Sequence, residues 1–330
     1  MDRAILLAAG EGTRLRPLTG VLAKCLAPVN GRPLLGRWLD RLAAAGVTDV
    51  RVNTGYLAGQ VEEYLAAGCW KCNVEVVREP VLRGTGGTLA DLAGFWRDEG
   101  VLLVHADNLS DLDLAAFMRF HREQSGAQLL TLATFDTTVP SECGIVVSDA
   151  DGIVSGFFEK QPDPPGRCAS AAVFALNPGM VDVLPHPPAA PFDFSRDVVS
   201  GLIGRMRAWH HHGFHRDIGE GHRYLSAQWE FPEAPAAPDP AWSALLDVRD
   251  GALREALAQA LGALARAAGF EARVYADPDQ ATGTSGQGAR ELAIVLRAPR
   301  GYCAAQACRE RGVRSIVLEV QESCDARAMR

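Results

Sequence analysis

The chain has 330 residues, 48% of them hydrophobic, and a formal net charge of −7 from 33 basic and 40 acidic side chains. This length predicts two domains, and the well-mixed charges, without a basic stripe, argue against nucleic acid as a partner. No window approaches the roughly eighteen uninterrupted apolar residues of a membrane helix, and no basic and apolar leader precedes the first strand. We therefore expect a cytoplasmic protein with no membrane partner.

Segments typical of strands and of helices alternate through the first half of the chain. The strand-like runs are AILLAA, DVRVNTG, VEVVRE, GVLLVHAD, QLLTLATF and CGIVVSD. Alternation at this spacing predicts an α/β fold, namely a Rossmann-like domain with a mainly parallel mixed sheet. Ligands of such sheets bind beyond the carboxyl ends of the strands, which makes the first loop a candidate site.

That loop, within ILLAAGEGTRLRPLT, combines glycines with arginines. Gly10 and Gly12 leave backbone amides free to face an anion, and Arg14 and Arg16 add positive charge. The dinucleotide fingerprint G-x-G-x-x-G does not fit because Leu15 takes its third glycine position, and no Walker sequence occurs. The alternative is a Gly-rich turn that merely joins a strand to a helix.

A second motif, AKCLAPVNGRPLL, follows with Lys24 ahead of an apolar strand and an Asn-Gly turn. Together the two motifs resemble the opening of the sugar-1-phosphate nucleotidyltransferases, G-x-G-T-R-L-x-P-L-T and then P-K-x-L-x-P-V-x-G-x-P-L. Ala23 departs from this pattern, which usually has proline before the lysine, but Lys24 stays in register. The resemblance continues through EPVLRGTGGTL, LLVHADNL, ECGIV, FFEKQ and HRDIG, and implies a GT-A-like nucleotidyltransferase domain over residues 1–229.

The resemblance implies five catalytic residues. Arg14 would lie against the β- and γ-phosphates, Lys24 against the α-phosphate and Lys160 against the sugar phosphate. Asp107 and Asp217 would bind Mg²⁺, a hard cation that prefers one or two carboxylates together with phosphate oxygens and waters. The implied reaction, transfer of a nucleoside monophosphate from a nucleoside triphosphate to a sugar 1-phosphate, needs alignment and charge neutralisation rather than a covalent intermediate. Solvated surface lysines and loop-capping acids are the alternatives for these positions.

The resemblance also implies two substrate-binding sets. The nucleotide-binding set is Leu7, Ala8, Ala9, Gly10, Gly12, Thr13, Arg14, Lys24, Asn53, Gly84, Thr85, Gly86, Gly87, Thr88 and Asp107. The sugar-binding set is Asn108, Gly144, Glu159, Lys160 and Ser170. Tyr56 and Gln60 are further candidate contacts, or ordinary loop residues. CASAAVFAL departs from the family's A-N-A-G-I-Y-x-F at Ser170 and Ala172, which predicts altered or weakened sugar recognition because a serine hydroxyl is shorter than an amide.

Several segments are most similar to the mannose-1-phosphate and heptose-1-phosphate guanylyltransferase branch, among them VNTGYLAGQV, ECGIV and DFSRDVV. This similarity favours GTP and a manno-configured heptose or hexose 1-phosphate as partners, and a homo-oligomer is compatible with it. Uridylyl, thymidylyl or cytidylyl transfer to another sugar phosphate is the alternative. An alternative of another class is an inactive regulatory subunit that binds a sugar nucleotide.

Cysteine and histidine patterns carry weaker predictions. Eight cysteines are too dilute for a disulfide scaffold. Cys69 and Cys72 have redox-motif spacing but are predicted to lie between a helix and a strand, without a second pair to complete a zinc site. In WHHHGFHRD, consecutive histidines of a strand point to opposite faces, which favours a polar strand over a transition-metal site.

The last hundred residues predict a linker and a small module. Residues 230–241 are Pro-rich and typical of a stiff linker. Residues 242–330 predict an Ala/Leu-rich helix, the strands EARVYAD, ELAIVLRA and VRSIVLEV, and a helix, GYCAAQACRERG, between the last two. This βαβ-like module vaguely resembles half of a sugar-isomerase domain or a CoA-binding unit. Its loop at residues 281–290 is a candidate phosphate cradle or a mobile connector, and we expect a regulatory, oligomerising or vestigial role.

Overall fold

The computed structural model describes residues 1–123, 128–185, 191–232, 239–247, 252–275, 291–299 and 314–321. Strands and helices alternate in these segments as the sequence predicts. The strands are β1 (Arg3–Leu7), β2 (Pro28–Val29), β3 (Arg32–Pro33), β4 (Asp49–Thr54), β5 (Asn73–Arg78), β6 (Val101–His105), β7 (Asn108–Ser110), β8 (Leu130–Asp136), β9 (Gly144–Ser148), β10 (Val154–Glu159), β11 (Cys168–Leu176), β12 (Met206–His210), β13 (His215–Asp217), β14 (Glu271–Tyr275), β15 (Glu291–Pro299) and β16 (Arg314–Gln321).

The helices pack on both faces of the central sheet. They are α1 (Leu34–Ala44), α2 (Ala58–Ala67), α3 (Gly84–Asp91), α4 (Ala93–Trp96), α5 (Leu114–Arg122), α6 (Phe194–Asp197), α7 (Gly221–Glu230), α8 (Pro240–Asp247) and α9 (Ala252–Ala267). Short 3₁₀ turns span Thr13–Leu15, Leu18–Gly20, Lys24–Leu26, Pro140–Glu142, Pro178–Val183 and Val199–Gly201. Among the described residues, no helix combines the length and apolarity that a membrane crossing requires.

Nine of the described strands form the central sheet. Its main path runs β10-β9-β11-β6-β1-β4-β5, with β8 beside β11 and β12 beside β8. The β5-β4-β1-β6 half is parallel, whereas β11 runs antiparallel to β6 and β8. The predicted α/β fold with a mixed, largely parallel sheet is confirmed. Strands β1, β4 and β6 end at the same edge, where their carboxyl ends bring the following loops together.

The central strands are apolar on both faces because helices cover both faces of the sheet. In β1, Ala4 and Leu6 belong to one hydrophobic core and Ile5 and Leu7 to the other. The edge strand β5 alternates between exposed and partly buried positions instead. Since the core layers fix the pleat of β1, the loop that follows it leaves the sheet in a fixed direction.

The C-terminal elements share a core with the sheet-bearing part of the chain. Trp242 of α8, Leu261 of α9, Ile294 of β15 and Ile316 of β16 belong to the same buried cluster as Trp38 of α1. Strands β14, β15 and β16 form a separate parallel sheet, as the βαβ-like pattern predicts. The predicted helix between β15 and β16 and the loop at 281–290 lie outside the described residues. Helix α8 begins at Pro240, so the last two residues of the predicted linker are helical.

A buried polar cluster joins α8 to α2 and β3. Asp239 is 5% exposed, and its Oδ2 accepts a hydrogen bond from the Tyr64 hydroxyl at 2.7 Å and lies 3.4 Å from Nη1 of Arg32. Its Oδ1 accepts a hydrogen bond from the backbone N–H of Trp242 at 3.2 Å. One carboxylate therefore caps α8 and compensates a buried guanidinium.

We expect Asp239→Ala to destabilise the protein by about 2 kcal/mol, because it removes the N-terminal cap of α8 and the acceptor of the buried Tyr64 hydroxyl, and leaves Arg32 with Asp40 as its acidic neighbour. Thermal unfolding and proteolytic cleavage between α7 and α9 measure the effect. Asp98→Ala, which removes an exposed acid, should change the free energy of unfolding by less than about 0.5 kcal/mol. Equal stabilities of the two variants would show that the cluster does not fix α8 on the sheet domain.

Candidate active site

The loop after β1 lies at the carboxyl edge of the sheet. The backbone N–H of Ala8 donates to Oδ1 of Asn53, at the end of β4, over 2.7 Å. Gly12 has φ of 61°, and a Cβ there would lie 3.0 Å from Cδ of Lys24. Glycine at this position therefore permits a left-handed turn and lets the lysine stem pass the loop. Thr13 and Arg14 follow in the first 3₁₀ turn.

Lys24 lies between the two predicted metal-binding acids. Its Nζ is 2.6 Å from Oδ2 of Asp107 and 3.1 Å from Oδ1 of Asp217. The lysine side chain is 9% exposed, whereas the two carboxylates are 34% and 40% exposed. Acids that are far apart in the sequence therefore converge on one point, which they share with a buried ammonium.

Charge dominates the protonation of this cluster. Burial alone would lower the pKa of Lys24, but Asp107 and Asp217 outweigh it and raise this pKa above its ordinary value. Burial alone would raise the pKa of Asp107, but the charge of Lys24 outweighs it and lowers this pKa. Both groups are therefore charged at neutral pH.

A short two-stranded ribbon sets the position of Asp217. Strand β13 pairs antiparallel with β7, and Asp217 stands opposite Asn108, the residue after Asp107. The backbone N–H of Gly219 donates to Oδ1 of Asp217 over 2.8 Å. The backbone pairing thus brings the second acid, at the end of β13, beside the first, which precedes β7.

Arg14 lies at the outer side of this cluster. It is 57% exposed, with Nη1 at 3.1 Å from Oε1 of Glu220 and Nη2 at 3.7 Å from Oδ2 of Asp217. Its guanidinium is therefore held near the acids while still open to solvent.

A cavity of about 250 Å³ opens beside Lys24 at the carboxyl edge of β1, β4 and β6. Most of its wall consists of residues from the predicted nucleotide-binding set. Its lining is Leu7, Ala8, Ala9, Gly10, Lys24, Cys25, Asn53, Glu79, Leu82, Gly84, Thr85, Thr88, His105 and Asp107. Gly12, Thr13, Arg14, Gly86 and Gly87 lie outside this lining.

Gly86 packs against the segment before α6 rather than facing the cavity. Its backbone N–H donates to the carbonyl of Phe192 over 3.0 Å, and a Cβ there would lie 2.2 Å from the Phe192 ring. The Thr85 hydroxyl donates to Asp193 at 3.0 Å and accepts from the backbone N–H of Phe194 at 2.7 Å. The glycine-rich segment therefore opens to the cavity at Gly84 and closes on a neighbouring loop at Gly86.

The cavity wall contains a buried carboxylate that the sequence patterns did not single out. Glu79 is 9% exposed, and its Oε1 accepts from the Thr88 hydroxyl at 2.6 Å and from Nδ2 of Asn53 at 3.1 Å. Its Oε2 accepts from the backbone N–H of Arg83 at 3.1 Å. These three bonds hold the carboxylate rigidly in the wall.

Three further lining residues were also missed. His105 ends β6, and burial lowers its pKa. Its Nε2 is buried without a hydrogen-bond partner among the described residues. Cys25 follows Lys24, and burial raises its pKa to about 12, so the thiol stays protonated. Leu82 adds an apolar surface. Their position at strand ends and beside motif residues was the available signal for His105 and Cys25.

The predicted sugar-side residues gather around β9, β10 and β11. Oε2 of Glu159 lies 2.6 Å from where a Cβ on Gly144 would stand, so the glycine makes space for that carboxylate. Burial raises the pKa of Glu159. Lys160 is 67% exposed, with φ of 48° and Nζ at 3.6 Å from Oε1 of Glu159. Asn108 is buried, and its Nδ2 donates to the Ala171 carbonyl over 3.4 Å.

Ser170 and Ala172, the two residues that depart from the family pattern, lie in an irregular stretch of β11. The register of β11 against β8 shifts between Ser170 and Phe174. Ala172 has φ of 52°, in the left-handed region that favours glycine, and its N–H donates to the Ser170 hydroxyl over 3.3 Å. Strained backbone at both Lys160 and Ala172 marks this side of the site.

The two other contacts proposed from the sequence are placed differently. Gln60 and Tyr56 do not line the cavity. The Gln60 side chain binds backbone groups of Val21 and Ala23, close to Lys24. The backbone N–H of Tyr56 donates to the Ala9 carbonyl over 3.2 Å.

The cysteine and histidine patterns do not assemble a metal-binding cluster in the described part of the chain. No group of three or more His, Cys, Asp or Glu residues suited to a metal occurs there. His210 and His212 share one side of their segment with ring centroids 4.7 Å apart, whereas His211 hydrogen-bonds Asp111 through Nε2 at 2.8 Å. Cys69 is an exposed free thiol and Cys72 a buried one.

Comparison with known proteins identifies the family of the chain. A family model described as "Nucleotidyl transferase" matches residues 3–233. Mannose-1-phosphate guanylyltransferase of Mycobacterium tuberculosis is 30% identical over 243 residues, 72% of this chain and 66% of that protein. Glucose-1-phosphate cytidylyltransferase of Salmonella typhi is 27% identical over 260 residues, 71% of this chain and 98% of that protein.

A solved structure shares the fold. HddC from Yersinia pseudotuberculosis superposes with a TM-score of 0.58 at 22% identity, over 70% of this chain and 100% of that one. The chain spans just under two thirds of the length of the mannose-1-phosphate guanylyltransferases that it matches, 66% and 63% in two of them. Since the family model covers well over half of the sequence, the chain belongs to the nucleotidyl transferase family.

Proposed function

We propose that this chain transfers a nucleoside monophosphate from a nucleoside triphosphate to a sugar 1-phosphate. The observation that carries the proposal is the position of Lys24, held between Asp107 and Asp217 at the edge of a cavity walled by the loop after β1. Family membership supports the same reaction type. Within this class we favour GTP and a manno-configured heptose or hexose 1-phosphate.

The reaction forms one phosphorus–oxygen bond and breaks another. A phosphate oxygen of the sugar phosphate attacks the α-phosphorus, and the bond to the β-phosphate breaks as pyrophosphate leaves with the electron pair. Because no enzyme nucleophile is required, the protein has to align the reactants and neutralise their charge. Fixed cations at the α-phosphate are the most effective groups for that purpose.

Lys24 and Arg14 supply these fixed charges. The raised pKa of Lys24 keeps its ammonium charged, and its position on the cavity wall supports a contact with the α-phosphate. Arg14 is more exposed and lies near Asp217, where it would meet the departing β- and γ-phosphates. Lys160, on the sugar side, would bind the phosphate of the acceptor, and Glu159 would accept hydrogen bonds from sugar hydroxyls.

The two acids fit a magnesium ion. Both carboxylates converge on Nζ of Lys24 and are partly exposed, so the ion would bind at their solvent-accessible oxygens, with water and phosphate oxygens as further ligands. Asp107 and Asp217 would hold the ion, which when bound would supply additional neutralisation of phosphate charge. Carboxylate oxygens are hard ligands, which suit Mg²⁺ better than a softer transition metal.

Glu79 supports the preference for guanine. An ionised carboxylate only accepts hydrogen bonds, and its two oxygens offer about four acceptor sites, of which three are occupied here. One acceptor site therefore remains, and either N–H donor of the Watson–Crick edge of guanine could occupy it. Uracil and thymine place carbonyl oxygens on both sides of their one N–H group, which an anionic acceptor disfavours.

Pyrophosphate release, measured with a panel of triphosphates and sugar phosphates in the presence of Mg²⁺, tests the proposed function. We expect release with GTP and mannose 1-phosphate or a manno-heptose 1-phosphate, and none without the divalent ion. No release with any pairing, together with tight binding of a sugar nucleotide, would favour a regulatory subunit instead.

We expect Asp107→Asn to lower kcat by at least about 100-fold, or about 2.7 kcal/mol of barrier, because a neutral amide is a poor ligand for Mg²⁺. Steady-state assays over a range of Mg²⁺ concentrations measure the effect, with exposed Asp98→Asn as the matched control. A loss smaller than about tenfold would contradict a metal-binding role for Asp107.

We expect Glu79→Gln to reduce the preference for GTP over CTP and UTP by about tenfold in kcat/KM, because the amide adds a donor where only acceptors stood. The relevant measure is the ratio of kcat/KM for GTP to kcat/KM for CTP or for UTP, since this ratio is insensitive to a general loss of activity. Glu75→Gln, on the neighbouring edge strand, is the control. An unchanged ratio would remove Glu79 from base selection.

A further inference from the structure

The segment that leads into Lys24 is held by a side chain from α2. The amide of Gln60 is used at both ends: Oε1 accepts from the backbone N–H of Ala23 at 3.0 Å, and Nε2 donates to the carbonyl of Val21 at 2.8 Å. One side chain therefore satisfies two backbone groups that lie one and three residues before Lys24.

The support for this amide is rigid. Gln60 lies in the first turn of α2, whose buried residues Val61 and Tyr64 belong to the main core. The segment that it binds is also buried, with Leu22 and Ala23 at most 1% exposed. The position of α2 is therefore transmitted to the residues that precede the catalytic lysine.

The backbone at Ala23 has the conformation that a proline would impose. Its φ is −60° and its ψ is 133°, and it caps the 3₁₀ turn Lys24–Leu26. A pyrrolidine ring fixes φ at about −65° covalently and removes the N–H group. Alanine leaves both freedom and an N–H group, and here the Gln60 oxygen accepts that N–H.

The orientation of Lys24 depends on this turn. Leu26 donates to the Ala23 carbonyl at 2.8 Å, and Ala27 donates to the Lys24 carbonyl at 3.0 Å. From this backbone the lysine stem passes Gly12, and its Nζ reaches both acids. A shift of the turn would move Nζ away from at least one carboxylate.

We propose that Gln60 is a positioning residue for Lys24, which replaces by two hydrogen bonds the constraint that a proline ring at position 23 would supply. The proposal rests on the proposed function for its kinetic consequence. Its structural consequence, a fixed turn at Lys24–Leu26, is independent of any activity.

The test is a cycle of three variants: Gln60→Ala, Ala23→Pro, and the double variant. Gln60→Ala should lower kcat at least about tenfold with little change in KM, because misplacement of a catalytic group by about 1 Å costs on the order of 100-fold. The double variant should regain most of this loss, since the ring restores φ and the truncated side chain leaves space for it. Glu62→Ala, on the same helix, should leave turnover unchanged.

Hydrogen exchange provides the readout that does not depend on catalysis. The amides of Leu26 and Ala27 should exchange faster in Gln60→Ala and return toward the original rate in the double variant, while amides of β1 stay protected. If the protein shows no transferase activity at all, this comparison still tests the positioning role. Should Gln60→Ala fail to fold, Gln60→Glu keeps the acceptor for Ala23, loses the donor to Val21 and gives the same direction of change.

Two results would overturn the proposal. One is a kcat of Gln60→Ala within twofold of the original protein, with unchanged exchange at Leu26 and Ala27. The other is a loss of turnover that Ala23→Pro does not restore, accompanied by faster exchange throughout the sheet, which would mean that Gln60 contributes only to general stability.

Discussion

A buried ammonium between two carboxylates is the constraint on which the site depends. Lys24 is nearly removed from solvent, and an isolated charge in that position would be strongly unfavourable. Asp107 and Asp217 make the position acceptable, and the lysine in turn allows two acids to approach each other closely. Each of the three charges is therefore stable in its place because the other two are present.

The surrounding fold maintains that arrangement from three directions. In the loop after β1, Gly12 has no Cβ and so leaves space for the Lys24 side chain. Strand β6 ends two residues before Asp107, and the β7–β13 ribbon carries Asp217 to the same point. The chemistry that we propose needs little more than this, since phosphoryl transfer depends on alignment and on charge already in place.

Sequence patterns predicted the parts of this site that follow local rules. The strands were identifiable from apolar runs, the anion-binding loop from its glycines and arginines, and the charged residues from motif order. The patterns did not identify Glu79 as buried, because its burial depends on Asn53 and Thr88, which come from another strand and a helix. They also did not reveal that Gly86 accommodates Phe192, a contact between distant segments.

In the C-terminal part, too, the local features were predicted and the long-range contacts were not. Its helix α9 and its strands were predicted from composition and period, and their bounds agree closely with the structure. The sequence patterns did not predict that α8 begins within the Pro-rich stretch, although proline suits the first position of a helix. That Asp239 is buried against Tyr64 and Arg32 could not be inferred, since nothing local distinguishes it from an exposed capping acid.

The β7–β13 ribbon limits how this family member can change in length. Neighbouring residues of a strand point to opposite faces, so a slip of one residue would turn the Asp217 side chain away from Lys24 and bring Arg216 or Ile218 to its place. A single insertion or deletion between His211 and Phe214 that shifts this register would thus turn Asp217 away from Lys24 without altering any residue of the candidate site. Surface loops commonly tolerate changes of length, but the length of the turn before this ribbon sets the register that places Asp217.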